Sequence, residues 1–248
     1  MLANSPIIAL DFPNQEACLA FLSQFDNQAL NIKVGMELYY QEGNALIEQL
    51  LSKGHKIFLD LKLHDIPNTV ESAMRILASK GISMVTIHAS GGSEMIRAAK
   101  RGLESGTIQG QPKPKLLAVT QLTSLSQEQL QDELLISVPL KVSVLHYAQV
   151  AIESGADGIV CSPLEAELLR KQIDDSIVIV TPGIRNTSYV MGSDDQTRVT
   201  TPYQAALNGS DYIVVGRPIT QASNPVAVYD AMKEEFNKGR EELKWNKQ

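Results

Sequence analysis

Eight short runs, nearly continuous in Ile, Val and Leu, recur along the chain at 6–11, 29–34, 56–62, 82–88, 115–121, 158–162, 177–181 and 212–216. Each reads as a strand buried on both faces, the pattern of a parallel sheet. Segments with helical periodicity fill the intervals. Asn14 is placed to cap a helix that runs to Phe25, a helix over 68–80 ends at Gly81, 93–103 is followed by a glycine-containing turn, and 138–154 ends at Gly155. The interval 122–139 leaves room for an extra short helix. The interval 182–201 shows no period and reads as an unstructured loop, of a length that usually accompanies function or disorder.

Repeated strand and helix units predict the α/β class, with two architectures open: a closed (β/α)8 TIM barrel or an open doubly wound sheet. A nucleotide-binding open sheet carries a glycine-rich fingerprint after its first strand, whereas this strand runs into Asp11-Phe12-Pro13-Asn14. The barrel is therefore preferred. The length of 248 residues suits one such barrel, which commonly takes about 250. No proline-rich linker, charge block or low-complexity tract divides the chain, so a single domain over 1–248 is expected.

Composition narrows the partners. Hydrophobic residues make up 44% and charged residues 20%, values that favour a folded core over disorder. The 22 Lys and Arg are outnumbered by 28 Asp and Glu, and the net charge of −6 provides no overall field for nucleic acid or an anionic membrane. An anionic ligand must be captured locally. No apolar run approaches the roughly 18 residues of a membrane span, and the N-terminal segment lacks the basic start and long apolar stretch of a signal peptide, so a cytoplasmic location is expected. Cys18 and Cys161 are too few for a disulfide framework and lack zinc-site spacing, and both read as small apolar residues. The Met and Tyr residues fall at helix-period positions and read as core.

In a barrel of this kind the active site lies at the C-terminal ends of the strands, and here those ends are charged. The runs close on Asp11, on Lys33, on Asp60 and Lys62 with Asp65 just beyond, and on His88; the fifth leads to Thr120 and Thr123. Alternation puts Asp60 and Lys62 on one face, about 6–7 Å apart along the strand, together with Lys56 and Phe58, while Ile57, Leu59 and Leu61 point toward the helices. A single Asp/Lys pair could be structural. Five charges, Asp11, Lys33, Asp60, Lys62 and Asp65, converging on one end argue for a ligand, because each costs several kcal/mol to desolvate without compensation. The loops after strands seven and eight carry Pro182-Gly183-Ile184-Arg185 and Gly216-Arg217-Pro218, where glycine lets the backbone approach closely and arginine can grip a phosphate with two parallel hydrogen bonds. His88 reads as a hydrogen-bonded core group, His55 lies at the opposite end of the barrel, and nothing fixes the direction of His64.

The segment DLKLHDIPNT at 60–69 closely resembles the D-x-K-x-x-D-I-P-N-T motif of the orotidine 5′-phosphate decarboxylase family. The likeness extends through ALDFP, IKVG, TIHAS, VTQLTS, TPGIR, DDQTRV and YIVVGRPI, almost the whole chain. It implies decarboxylation of orotidine 5′-monophosphate to uridine 5′-monophosphate in pyrimidine nucleotide synthesis, and a homodimer with active sites at the subunit interface. By the same resemblance, Lys62, Asp60, Asp65 and Lys33 are catalytic. Asp11 and Lys33 contact the ribose, Asp65, Ile66 and Thr69 reach the neighbouring subunit's site, and Thr123 holds the pyrimidine. Gln196, Arg185 and Gly216-Arg217 bind the phosphate, beneath a lid of 182–198 that begins at Pro182. The reaction leaves a carbanion with no visible cofactor or metal motif to absorb it, so electrostatics must stabilise it and Lys62 is expected to protonate C6. The alternatives are a metal-dependent phosphosugar synthase of the same superfamily, expected to carry a carboxylate where Lys33 stands, and a non-catalytic phosphate-ligand binding protein.

Overall fold

The structure, a computed structural model, describes residues 1–185 and 199–246. Its strands are β1 (Ile7–Ala9), β2 (Asn31–Gly35), β3 (Lys56–Leu63), β4 (Met84–His88), β5 (Lys115–Val119), β6 (Gly158–Val160), β7 (Val178–Thr181) and β8 (Tyr212–Val215). All pair in parallel, in chain order, and β8 closes on β1. The closed TIM barrel expected from the sequence is the observed architecture.

Helices α1 (Gln15–Leu22), α2 (Met36–Ser52), α3 (Pro67–Ala78), α4 (Gly92–Gly106), α5 (Gln127–Asp132), α6 (Leu140–Glu153), α7 (Ala166–Gln172), α8 (Pro202–Leu207), α9 (Arg217–Thr220) and α10 (Pro225–Asn246) lie between and after the strands. The local signals act as read. The Asn14 side chain accepts from Ala17 N–H at 3.0 Å, and the segment to Phe25 finishes as a 3-10 turn. The extra helix in 122–139 is α5, closed by a capping box between Ser126 and Gln129. Helix α6 begins at Leu140 rather than at 138, because the ring of Pro139 holds the preceding residue out of helical conformation. Of the loop over 182–201, residues 186–198 lie outside the described residues. Among the described residues, no helix is long and apolar enough to cross a membrane.

Two cores follow from the two-residue period of the strands. Ile57, Leu59 and Leu61 join the large cluster between sheet and helices, as do Ile8, Ile32, Val85, Ile159 and Ile213. The alternate positions Ile7, Ala9, Phe58, Met84, Leu117, Val180 and Val214 form a second cluster inside the barrel. Stepping two residues further along the same strands gives Asp11, Asp60, Thr86, Val119, Pro182 and Gly216, so the apolar plug is the floor on which a layer holding Asp11, Asp60 and Thr86 stands. Both cysteines are buried, and burial, aided by Glu42, pushes the Cys18 thiol up to about 12. The expectation that Met and Tyr are core holds for Met74, Met84, Met95, Met232 and Tyr229, but fails at Tyr40 and Met36, exposed at 71% and 45%. Both lie on the outward side of α2, whose helical course is broken at Gly43 (φ +64°).

Helices α3 and α4 approach closely because Gly102 and Gly106 present no side chain; a Cβ at Gly102 would run into the Glu71 carbonyl, and one at Gly106 into that of Arg75. Alanine ordinarily favours a helix interior over glycine by about 1 kcal/mol. At Gly102 the clash with backbone should reverse the sign, and Gly102→Ala is expected to cost about 1–3 kcal/mol in urea unfolding. A stabilised variant would contradict this packing.

Candidate active site

The C-terminal mouth of the barrel opens into a cavity of about 560 Å³, within the roughly 300–1,000 Å³ of small-molecule sites. Phe58, Ala9 and Val214 form its base, and Asp11, Lys33, Asp60, Lys62, Thr123, Pro182, Gly183, Arg185, Gly216 and Arg217 line it. Two acids, two lysines and two arginines thus face one cavity, leaving a local positive excess in an acidic chain.

Asp60 is the centre of the polar layer. Its Oδ2 lies 2.9 Å from Lys62 Nζ and 3.7 Å from Lys33 Nζ, and Lys33 Nζ reaches Asp11 Oδ1 at 3.0 Å. Its Oδ1 accepts from the Thr86 hydroxyl at 2.9 Å. Asp60 and Lys33 side chains are only 13% and 11% exposed, whereas Asp11 is 59% exposed at the rim. Burial pushes the Asp60 carboxyl up, but the Lys33 and Lys62 ammoniums and the hydrogen bonds from Lys62 and Thr86 outweigh it and hold it below the usual carboxylate range. Charge therefore alternates from Asp11 through Lys33 and Asp60 to Lys62.

Lys62 has φ +51°, the one positive value among the described strand residues, and the β3/β4 register shifts between Leu59 and Leu63. A left-handed conformation costs a non-glycine residue roughly 1–2 kcal/mol, and bulges of this kind re-aim side chains beside active sites. From this bulged position the Lys62 ammonium pairs directly with Asp60.

Four of the five charges expected to converge do so. Asp65 lies exposed on the turn after β3, where its Oδ1 accepts from Ile66 N–H at 2.6 Å, and Ile66 and Thr69 are likewise exposed and line no part of this chain's cavity. On the opposite wall the ends of the 182–201 loop are joined by Arg185 N–H to Thr200 O at 2.9 Å and Thr200 N–H to Gly183 O at 3.1 Å. Gly183 supplies φ +79° there. Gln196 lies outside the described residues. Among the described residues no cluster of His, Cys, Asp or Glu is arranged to hold a metal ion.

The sequence reading missed Thr86, Gln121 and Ser124. Gln121 lines the cavity and donates to Ser143 Oγ at 3.0 Å, and Ser124 follows Thr123 along the rim. Thr86 was legible in principle: it is the polar residue of an apolar strand, two positions beyond Met84 on the inward face. His88 closes that strand half-buried, its ring centroid 5.7 Å from that of His64, beside the cavity rather than among its lining residues. His55 accepts from Leu30 N–H at 3.2 Å at the other end of the barrel.

The family model described as Orotidine 5'-phosphate decarboxylase / HUMPS family matches residues 5–232. The chain is 53% identical over 238 residues to the orotidine 5′-phosphate decarboxylase of Lactococcus lactis subsp. cremoris, covering 96% of this chain and 100% of that protein. It is 52% identical over 233 residues to that of Enterococcus faecalis, covering 94% and 98%. The crystal structure of the orotidine 5′-phosphate decarboxylase from Lactobacillus acidophilus matches with a TM-score of 0.85 at 48% identity, over 94% of this chain and 99% of that one.

Burial, and then the positive fields of His64 and Lys62, hold the His88 imidazole below its ordinary value against the opposing pull of Asp60. With the folded value below the unfolded one, the unfolded chain takes up the proton first as pH falls, so stability should decline from about pH 6.5 downward. Urea unfolding at pH 7.5 and 5.5 should show this loss, and His88→Gln should reduce it, leaving the part owed to His55, whose value burial also lowers. An unchanged pH slope in His88→Gln would contradict the assignment.

Proposed function

Because the chain belongs to the orotidine 5'-phosphate decarboxylase / HUMPS family, we propose that it removes CO2 from C6 of orotidine 5′-monophosphate to give uridine 5′-monophosphate, a step of pyrimidine nucleotide synthesis, without a cofactor. The observation that carries this reading is the Asp60 carboxylate held between Lys62 and Lys33 on the floor of a cavity whose opposite wall bears Arg185 and Arg217. A metal-dependent phosphosugar synthase would be expected to carry a carboxylate at the end of β2, where this chain has Lys33.

Loss of CO2 leaves an electron pair in the plane of the pyrimidine ring, where the π system cannot delocalise it. Enzymes commonly supply about 8–23 kcal/mol of transition-state stabilisation, and this reaction draws on the upper part of that span. A fixed ammonium beside C6 stabilises the developing charge without reorganising. Lys62 provides it, tethered to Asp60, as a compact cation with a transferable proton. As the C6–carboxylate bond breaks, the electron pair at C6 takes a proton from Lys62 Nζ, forming C6–H and leaving a neutral amine that recovers its proton from water. Asp60, beside the departing carboxylate, adds a repulsion that vanishes with CO2.

The rest of the cavity holds the nucleotide. Arg185 and Arg217, with the Gly183 and Gly216 backbone and Gln196, take the phosphate, Asp11 and Lys33 the ribose hydroxyls, and Thr123 the pyrimidine, with Pro182 at the wall. Energy gained at the phosphate, far from C6, supports the chemistry there. Asp65, Ile66 and Thr69 complete the site of a second copy in a homodimer; the 67% exposure of Ile66 on the turn after β3 supports such a contact. The barrel acts as a single cytoplasmic domain.

An ultraviolet assay with orotidine 5′-monophosphate tests the reading. Conversion is expected with or without a chelator, and Lys62→Ala should lose at least about 10³-fold in kcat, within the range for removal of a general acid. No conversion by the wild type would contradict the activity, and near-native turnover by Lys62→Ala would contradict the proton donor.

A further inference from the structure

The paired residues of β3 and β4 run Leu59 with Val85 and then Leu63 with Ile87. Three residues of β3, Asp60, Leu61 and Lys62, therefore stand against one residue of β4, Thr86. The regular ladder is interrupted across this stretch, and a backbone N–H that loses its ladder partner in a buried site needs another acceptor. The Thr86 hydroxyl is that acceptor: Lys62 N–H donates to Thr86 Oγ1 at 2.9 Å. The same hydroxyl donates to Asp60 Oδ1 at 2.9 Å. A hydroxyl has one donor and two acceptor sites, so one group can meet both demands at once, which neither a methyl nor an ammonium can do. Thr86 is fully buried, so water does not compete for either bond.

We propose that Thr86 is a positioning residue for the decarboxylation: its hydroxyl clamps the Lys62 backbone in its left-handed turn and the Asp60 carboxylate in the orientation that meets Lys62, so that the ammonium is aimed at C6. The inference rests on the decarboxylase reading and goes beyond it, since Thr86 is not among the cavity-lining residues and touches the reaction only through its two neighbours. Two constraints meet in this one group. Lys62 occupies a conformation that L-residues adopt rarely, and such conformations persist where surrounding bonds over-determine them. Asp60 presents Oδ2 to both lysines because Oδ1 is already engaged.

The test compares Thr86→Val, which keeps the shape and removes the hydroxyl, with Thr86→Ser, which keeps the hydroxyl and removes the methyl. A displacement of about 1 Å in a catalytic group can cost roughly 10²-fold in rate, so Thr86→Val should lose about 10- to 100-fold in kcat. KM should change little, because the phosphate grip at Arg185 and Arg217 lies on the opposite wall. Loss of a hydrogen bond to the ionised carboxylate should also move the acid limb of kcat/KM upward in pH. Thr86→Ser should retain kcat within a few-fold and keep the wild-type limb. A purely structural role would lower the melting temperature without moving the acid limb or splitting kcat from KM. Wild-type kcat and acid limb in Thr86→Val, or equal damage in Thr86→Ser, would overturn the inference while leaving the decarboxylase reading intact. If Thr86→Val does not fold, Thr86→Ser decides alone, a loss of 10-fold or more overturning the inference and wild-type kinetics supporting it. An inactive wild type would overturn the decarboxylase reading and this inference with it.

Discussion

A carboxylate on the floor of a barrel has to be compensated, and at Asp60 the compensation organises the whole site. Taking an ion out of water costs several kcal/mol, a cost that only close, well-aligned partners offset. Two ammoniums and a hydroxyl surround this carboxylate, at 2.9 and 3.7 Å from Oδ2 and 2.9 Å from Oδ1. Their joint effect outweighs burial and keeps Asp60 ionised. In return Asp60 draws Lys62 and Lys33 to one oxygen, offsets their mutual repulsion and holds both at the cavity. Remove the carboxylate and two like charges share one pocket; remove either lysine and a buried anion loses a partner. The tether that stabilises the resting site is also what pre-orients the ammonium for chemistry.

The barrel makes this arrangement possible by a simple rule of alternation. Phe58, Met84, Val180 and Val214 fill the interior, and the next inward position on each strand is a functional or wall residue, Asp60, Thr86, Pro182 and Gly216. The apolar layer excludes water from below and strengthens the electrostatics above it. The exception to alternation is as informative as the rule. At Lys62 the strand departs from β geometry, and it is the residue at this departure whose ammonium pairs with Asp60.

Much of this was legible in the residues. The eight apolar runs carry the barrel because parallel strands are buried on both faces, and the charged residues that close them mark the mouth, since a buried charge needs a reason. The helix signals at Asn14, Gly81 and Gly155 are local chemistry and appear where expected. What the residues could not carry was geometry set between strands. The bulge at Lys62 depends on the β3/β4 register, which the alternation of a single strand does not carry. Thr86 carries no such signal as a charged strand end, since it lies inside a strand rather than at its end, and a threonine inside an apolar strand is as consistent with packing as with a hydrogen-bond role. Tyr40 and Met36 share the helical period but stand on the outward face of α2, which the period alone does not tell from the inward one. Asp65, Ile66 and Thr69 line no part of this chain's cavity, in keeping with the motif resemblance that assigned them to a neighbouring subunit's site.

The central claim is that Asp60 is an ionised carboxylate shared by two ammoniums before any substrate arrives. Carbon-13 NMR of the side-chain carboxyls in the substrate-free protein tests it most directly, with Asp60 assigned by comparison with Asp60→Asn. As the pH is lowered from 7 to about 3.5, past the point near 3.9 at which an ordinary aspartate is half protonated, the Asp60 signal should still lie mostly at its ionised position. A signal that titrates at or above that value would mean that burial prevails over Lys33, Lys62 and Thr86, and the account of the site would fail.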